Sequence, residues 1–307
     1  MAIVSDIYAR NFLIRYDFDI AIPYFDAKDF KNLRSTEATF NNGNGVEIHY
    51  FTYFYQPVRF SKVILFLPGI GPGHKAYLRE INELALKGYK VITLDYEGCG
   101  YSGGERLPSI NQPTLDVLDL LSYLKLKEEI VLVGHSLGAY TALNVVNRVN
   151  KISKAIIISG FLTPKLGMLK FTKSRLLARE IERYEAQIHP EFVNNNLEYL
   201  KMSHDKILFI HSKDDPKVSF RHNINKVKKL RNNFLSFLVV NNKRHNPTYT
   251  LDSVKYKDKI MDEYWKRLNK HKFNSDQERL DYFKDVSIKE MTNIDQIVFA
   301  KIINFIG

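Results

Sequence analysis

The sequence predicts a doubly wound α/β fold, with a mostly parallel sheet of about eight strands, helices on both faces and two helical insertions. Short, continuously apolar segments alternate with amphipathic segments from residue 63 onward, as in buried parallel strands connected by helices. Two longer helical stretches interrupt this alternation, and insertions of that length commonly cover a binding site.

The first part of the chain, residues 1–37, is irregular, with some helical potential around Ser5 to Arg15. From Ala38 onward, β-branched and aromatic residues are dense on both sides of a turn at 42–45, which predicts two strands. Residues 1–37 are therefore interpreted as an N-terminal extension, and residues 38–160 as the first part of the core.

The remaining core elements follow in the alternating order that defines the fold. Strands are predicted at 63–67, 91–94, 130–133, 155–159, 207–210 and 235–240. Helices are predicted at 76–86, 113–124, 136–149, 220–230 and 294–305. The predicted insertions are 161–205 and 248–290, which leaves 206–247 as the second part of the core and 291–307 as its final helix.

Composition excludes several classes of protein. Hydrophobic residues at 45% and charged residues at 26% are close to the globular average and argue against wholesale disorder. The single cysteine, Cys99, excludes an internal disulfide framework and a cysteine-based zinc site. No apolar run reaches the ~18–20 residues that span a bilayer, and no secretory signal is visible, so a cytoplasmic location is predicted. No metal ion or other cofactor is implied.

The net charge of +11 is unevenly distributed, because residues 201–290 alone contribute +9. A basic region of this kind could bind nucleic acid or anionic lipid. Its lysines are scattered at helical spacing, however, and no nucleic-acid-binding motif lies among them. A solvated helix face is therefore favoured, and no nucleic-acid partner is expected. Contact with a membrane surface stays open, and the sequence does not indicate the oligomeric state.

The strongest functional signal is Gly134-His135-Ser136-Leu137-Gly138, a G-x-S-x-G sequence between a predicted strand and a predicted helix. A sharp strand-to-helix turn exposes the serine hydroxyl at the carboxyl end of the sheet, above the amino terminus of a helix. The pattern can also arise by chance, but its strand–turn–helix context favours a nucleophile. Ser136 is the candidate.

A serine nucleophile needs a general base and a group that orients the base, and in this architecture both follow on loops after later strands. The loop after the strand at 207–210 offers Asp214 and Asp215, and the proline and valine that follow favour Asp215. The loop after the strand at 235–240 begins with His245, which is the candidate base.

Two backbone N–H groups are expected to stabilise the oxyanion. One belongs to Leu137, directly after the candidate nucleophile. The other is expected in the loop at 68–73, where Ile70 N–H is favoured, although an ordinary Gly/Pro turn would also account for that loop. Two further histidines, His135 and His211, are interpreted as structural.

Together these residues resemble the α/β-hydrolase superfamily, and within it the serine esterase, monoacylglycerol lipase and lysophospholipase branch. The segment LDYEGCGYSGG at 94–104 is similar to that branch's loop after the fourth core strand. The resemblance covers about 38–161, 206–246 and the last helix. Pro68 and Glu97 depart from it, because the branch usually has His and Arg there.

The resemblance implies a serine hydrolase that cleaves carboxylic esters through an acyl-enzyme, using Ser136, Asp215 and His245 without a cofactor. It also implies a lid formed by residues 161–205 and a small-molecule ester substrate with an acyl or aromatic acid group. A thioesterase, acyltransferase or carbon–carbon hydrolase could use the same residues. A non-catalytic lipid- or membrane-binding protein on the same scaffold is a further alternative. A haloalkane dehalogenase is disfavoured, since it needs a carboxylate at position 136.

Overall fold

An eight-stranded sheet forms the centre of the protein, in a computed structural model that describes residues 2–56, 62–192 and 196–307, without the side chains of residues 2, 3 and 5. Its strands are β1 (Arg34–Asn41), β2 (Glu47–Phe54), β3 (Lys62–Leu67), β4 (Lys90–Leu94), β5 (Glu129–His135), β6 (Ile152–Ile158), β7 (Lys206–Ser212) and β8 (Leu235–Val240). They lie in the order β1-β2-β4-β3-β5-β6-β7-β8. Strands β3 to β8 pair in parallel, whereas β2 is antiparallel to both β1 and β4. The predicted fold class is confirmed.

Helices connect the strands and cover both faces of the sheet. They are α1 (Ala2–Phe12), α2 (Leu78–Leu86), α3 (Gln112–Leu124), α4 (Leu137–Val146), α5 (Pro164–Thr172), α6 (Arg175–Ile188), α7 (Asn196–Met202), α8 (Ile224–Val227), α9 (Leu251–Asn269), α10 (Asp276–Phe283), α11 (Ile288–Met291) and α12 (Gln296–Ile306). Within the described ranges, no helix combines the length and apolar character needed to cross a bilayer.

The parallel strands are buried on both faces, which explains their continuously apolar sequences. In β3, Leu65 packs into a core that includes Leu143 of α4 on one side of the sheet. The next residue, Phe66, faces the opposite core, which includes Ile302 of α12. Successive side chains of a strand point to opposite faces, so these two cores hold the sheet in place from both sides.

The helix predicted at 220–230 is shorter in the structure, where α8 is followed by a 3₁₀ turn at Lys228–Leu230. Asn223 accounts for the difference, because its backbone (φ −112°, ψ −95°) is not helical. Its side chain donates to Ser219 O and accepts from Leu162 N, both at 3.0 Å. Asparagine side chains that bond to nearby backbone compete with helix formation.

The N-terminal extension contains a helix, α1, where the sequence indicated helical potential, and the segment after it is bonded to the core. Tyr16 N donates to Gly98 O and Gly100 N donates to Tyr16 O, each at 2.9 Å. The Arg15 guanidinium donates to three carbonyl oxygens of the loop after β4, those of Gly100, Ser102 and Gly104. The extension therefore lies against the loop that follows β4.

Candidate active site

Ser136 occupies the sharp turn between β5 and α4. Its backbone, with φ 55° and ψ −114°, is in a region that residues with side chains rarely adopt. A Cβ atom on Gly134 would lie 2.2 Å from Gly138 O, and one on Gly138 would lie 2.0 Å from Leu67 O. Because only glycine fits at either position, the motif holds Ser136 at the carboxyl edge of the sheet.

Asp215 and His245 form a hydrogen-bonded pair at the same edge. His245 Nδ1 donates to Asp215 Oδ2 at 2.8 Å, since a carboxylate only accepts, and this places the ring proton on Nδ1. The Nε2 atom is then left as an acceptor. Asp215 Oδ1 accepts from the backbone N–H groups of Lys217 and Val218 at 2.8 and 2.9 Å, which fixes the carboxylate. The neighbouring Asp214 is exposed and accepts from the Ser212 hydroxyl.

The Asp215 carboxylate stays ionised although its side chain is fully buried. Burial alone would raise the pKa of Asp215, but hydrogen bonds from His211 and His245 outweigh it and hold the pKa well below its usual value. His211 Nε2 lies 3.3 Å from Asp215 Oδ2 and donates to Val218 O at 3.1 Å. His211, interpreted from the sequence as structural, thus contacts the candidate acid directly.

Burial lowers the pKa of His245 below its usual value, and the contacts with Asp215 oppose that effect only in part. The positive charge of Lys217 lowers the pKa further. The imidazole is therefore neutral at pH 7, the form that can accept a proton.

A chain of hydrogen bonds connects His245 to the loop after β3. His135 Nε2 donates to the backbone oxygen of His245 at 2.8 Å, so His135 Nδ1 is an acceptor and the Tyr77 hydroxyl donates to it at 2.9 Å. Tyr77 Oη in turn accepts from Gly69 N–H at 3.0 Å. Burial and the neighbouring His245 lower the pKa of His135 well below its usual value, which keeps its ring neutral in this chain.

The two residues whose amides are expected to stabilise an oxyanion lie in the wall of the cavity that contains Ser136. Ile70 and Leu137 line the same cavity as Ser136. Neither of their N–H groups has a hydrogen-bond acceptor within the part of the chain that the structure describes. Gly69 N–H, by contrast, is engaged by Tyr77. The arrangement thus leaves the Ile70 and Leu137 amides for a ligand.

The candidate residues open into a cavity of about 500 Å³, a usual size for a small-molecule site. Its walls come from the Ser136 turn, from α1, from α5 in the first insertion and from α9 in the second. The large apolar side chains that line it include Phe12, Phe161, Met168, Phe171, Met261 and Trp265. Both predicted insertions therefore contribute to the walls, together with the N-terminal extension.

The lining of the cavity also includes three cations and two carboxylates. Arg244 Nε is paired with Asp258 Oδ2 at 3.0 Å, whereas Lys217 and Lys257 have no carboxylate within 4.0 Å among the described residues. Asp262 is the other lining carboxylate. The formal charge of these five lining residues is therefore positive. No group of three or more His, Cys, Asp or Glu residues in the described ranges could hold a metal ion.

Pro68 and Glu97, the two residues that differ from the usual sequence of the serine esterase and lipase branch, both form hydrogen bonds with nearby residues. Pro68 O accepts from the Tyr96 hydroxyl at 3.1 Å, which holds the loop after β3. The Glu97 carboxylate accepts from Asn42 and Asn44 side chains at 2.8 and 2.9 Å, at the turn between β1 and β2. Glu97 therefore supports that turn.

The sequence profile of the family described as serine aminopeptidase, S33, matches residues 59–252, more than half of the chain. The chain belongs to this family of α/β hydrolases. The matched region contains Ser136, Asp215 and His245, whereas α1 and helices α10 to α12 lie outside it.

Curated relatives and solved structures agree with membership of the S33 family. The lysophosphatidylserine lipase ABHD12 of Gallus gallus is 31% identical over 185 residues, 52% of this chain and 44% of the relative. The Danio rerio ABHD12 is 38% identical over 93 residues, 28% of this chain and 23% of the relative. The chain thus spans less than half the length of these relatives. An esterase from Pyrococcus furiosus has the same fold, with a TM-score of 0.59, 18% identity and coverage of 84% of this chain and 96% of that one.

Proposed function

We propose that the protein hydrolyses carboxylic esters, with Ser136 as nucleophile, His245 as general base and Asp215 as the group that orients His245. The observation that carries this proposal is that Ser136, His245 and two amides without acceptors line one cavity. The buried hydrogen bond between Asp215 and His245 supports the assigned roles, because it sets the tautomer that accepts a proton at Nε2.

In the first half of the reaction, Ser136 Oγ attacks the ester carbonyl carbon while its proton passes to His245 Nε2. The carbonyl electron pair moves onto the oxygen, where the Ile70 and Leu137 N–H groups stabilise the negative charge. When the tetrahedral intermediate collapses, the alcohol leaves with the proton from His245, and an acyl-Ser136 ester remains. Asp215 stabilises the imidazolium form of His245 throughout.

In the second half, a water molecule attacks the acyl carbon and gives its proton to His245 Nε2. Collapse of the second tetrahedral intermediate releases the carboxylic acid, and the proton returns to Ser136 Oγ. The strained turn keeps Ser136 in place through both halves, so the same two amides serve both intermediates.

The walls of the cavity support a substrate with an apolar acyl group and an anionic leaving group. Aromatic and methionine side chains from α1, α5 and α9 favour the acyl group. Lys217 and Lys257, without carboxylate partners among the described residues, line the same cavity and favour an anionic group on the substrate. An ester of this kind matches the lysophosphatidylserine lipase activity for which the ABHD12 relatives are named, so a lysophospholipid with an anionic headgroup is the substrate to test first.

The proposal is tested by stopped-flow hydrolysis of p-nitrophenyl butyrate, followed by steady-state assays. We expect a burst of about one p-nitrophenolate per protein, because the acyl-enzyme accumulates. Lauroyl lysophosphatidylserine should be cleaved faster than monolauroyl glycerol, because the two esters carry the same acyl chain and only the first has an anionic headgroup. The absence of a burst, together with no turnover of any of these three esters, would contradict ester hydrolysis. Turnover of lauroyl-coenzyme A alone would assign a thioesterase instead.

The pH dependence follows from the lowered pKa of His245. General-base catalysis needs the neutral imidazole of His245. Because its pKa is lowered, this ring is still mostly neutral when the pH falls to 6.5, the usual pKa of a histidine. We therefore expect kcat/KM to fall only below pH 6.5, with its midpoint on the acid side of that value. A midpoint above 6.5 in a pH–rate profile would contradict this assignment.

A pair of variants tests whether the charge of Lys217 contributes to the lowered pKa of His245. Lys217 lowers the pKa of His245 through its charge, so Lys217→Met should move the midpoint of the profile upward. Lys213→Met, an exposed lysine of the same loop, is the control and should leave the midpoint unchanged.

The cytoplasmic location and any contact with a membrane surface stay predictions from the sequence. Cell fractionation with an antibody to the protein would test the first. Co-sedimentation with anionic and neutral vesicles at two salt concentrations would test the second.

A further inference from the structure

A second cavity, of about 460 Å³, lies between α1 and the helices α5 and α6, and is called the α1–α6 cavity below. Its lining is apolar or uncharged in every described residue, and consists of Val4, Ile7, Tyr8, Asn11, Phe12, Phe171, Thr172, Leu177 and Ile181. Several of these side chains are open to solvent although they are large and apolar, including Ile7 at 56% and Phe171 at 48% exposure. Exposed apolar surface gathered in one concave place indicates a binding surface.

This second cavity adjoins the one beside Ser136. Asn11, Phe12 and Phe171 line both. The rings of Phe12 and Phe171 meet edge to face, with centroids 5.4 Å apart. One aromatic pair, contributed by α1 and α5, therefore borders both spaces and places the second cavity next to the space beside Ser136.

Helix α1 is a fixed wall of the second cavity. The Tyr8 hydroxyl donates to Glu185 Oε1 of α6 at 2.7 Å, and the Tyr8 side chain is almost fully buried. The Glu185 carboxylate also accepts from Asn111 Nδ2 at 3.1 Å, which ties α1 and α6 to the start of α3. The Tyr8 ring packs edge to face on Tyr184, with centroids 5.8 Å apart. All of α1 lies outside the 59–252 region that defines the family.

We propose that the α1–α6 cavity holds the distal part of the substrate's acyl chain, and that α1 is a specificity-determining element that selects long-chain esters. The proposal rests on the proposed ester hydrolysis. An acyl chain is the fitting occupant because the lining carries no charge among its described residues and shares Asn11, Phe12 and Phe171 with the cavity that contains Ser136. Each methylene buried there favours binding by about fourfold.

The test measures kcat/KM for p-nitrophenyl esters from butyryl to lauroyl, each below its aggregation concentration. The variant Leu177→Trp places an indole in the α1–α6 cavity, where Leu177 is part of the wall. We expect the ratio of lauroyl to butyryl kcat/KM to fall at least tenfold. Leu176→Trp is the matched control, because its neighbour Leu176 is 72% exposed and lines neither cavity. The control ratio should match the wild type.

A second variant approaches the cavity from the opposite wall. Ile7→Trp, on α1, should lower the same ratio, whereas Arg10→Trp, on an exposed side of α1, should not. An unchanged ratio in both Leu177→Trp and Ile7→Trp would overturn the proposal. Equal losses in Leu176→Trp and Leu177→Trp would also overturn it, because Leu176 lines neither cavity.

A binding measurement keeps the proposal separate from the proposed reaction. Ser136→Ala protein is titrated with the fluorescent fatty acid cis-parinaric acid, so no turnover is needed. We expect Leu177→Trp in this background to weaken binding at least tenfold and Leu176→Trp to leave it unchanged. If no ester is hydrolysed but this difference appears, the reaction is wrong and the acyl site stands. If esters are hydrolysed and the difference is absent, the acyl site is wrong.

Discussion

The variant Ser136→Ala is expected to lose ester turnover by on the order of 10⁴- to 10⁶-fold. Without the hydroxyl no acyl-enzyme forms, and only the stabilisation of a water-derived oxyanion by Ile70 and Leu137 remains. The measurement is steady-state hydrolysis of p-nitrophenyl butyrate, with the burst recorded in the same experiment. The burst should vanish completely, because it reports the covalent intermediate.

The fold of the Ser136→Ala protein should persist, since alanine also has a Cβ atom and the glycines that shape the turn are untouched. Circular dichroism and thermal unfolding check this. Ser153→Ala is the control. Ser153 lies near the amino end of β6, at the end of the strands opposite Ser136, and its hydroxyl donates to Ile130 O at 3.1 Å. Ser136→Ala protein that still turned over esters at the wild-type rate would refute the assigned nucleophile.

The variant Asp215→Asn is expected to lower kcat by about 10⁴-fold. An amide at this position can donate to His245 Nδ1, which moves the ring proton to Nε2 and removes the acceptor that Ser136 needs. The two backbone N–H groups that now bind Asp215 Oδ1 can still bind the amide oxygen, so the loop should keep its shape. The assay is kcat measured over pH 5 to 9, because a wrong tautomer lowers activity throughout the range.

Asp214→Asn provides the matched control for Asp215→Asn. Asp214 is the adjacent residue of the same type, but it is exposed and accepts from Ser212. We expect less than a threefold change in kcat for Asp214→Asn. A loss in Asp214→Asn as large as that in Asp215→Asn would show that the loop matters as a whole and would remove the specific role of Asp215.

The strands and the Ser136 turn were predictable because their signals are local. A parallel strand covered on both faces must be apolar throughout, and the turn after β5 admits only glycine at 134 and 138. Asp215 and His245 could be chosen because each follows a recognisable strand. The order of elements thus locates residues that stand 30 positions apart in the chain but share a hydrogen bond.

Other parts of the site could not be predicted, because their signals are not local. Tyr77 bonds to Gly69 and His135, yet nothing in its neighbourhood marks a tyrosine that bridges two loops. His211 precedes Asp215 by four residues, but the contact between the two side chains depends on how the loop after β7 folds back. The position of α1 depends on a hydrogen bond between residues 8 and 185, which no pattern in the extension indicates.

The anchoring of α1 has a practical consequence for recombinant work. An affinity tag fused before residue 2 would emerge beside the α1–α6 cavity, next to Val4 and Ile7. Gly307, in contrast, accepts a hydrogen bond from Lys62 at the amino end of β3, across the sheet from Ser136. Protein prepared for assays with long-chain substrates should therefore carry an affinity tag after Gly307, away from the α1–α6 cavity.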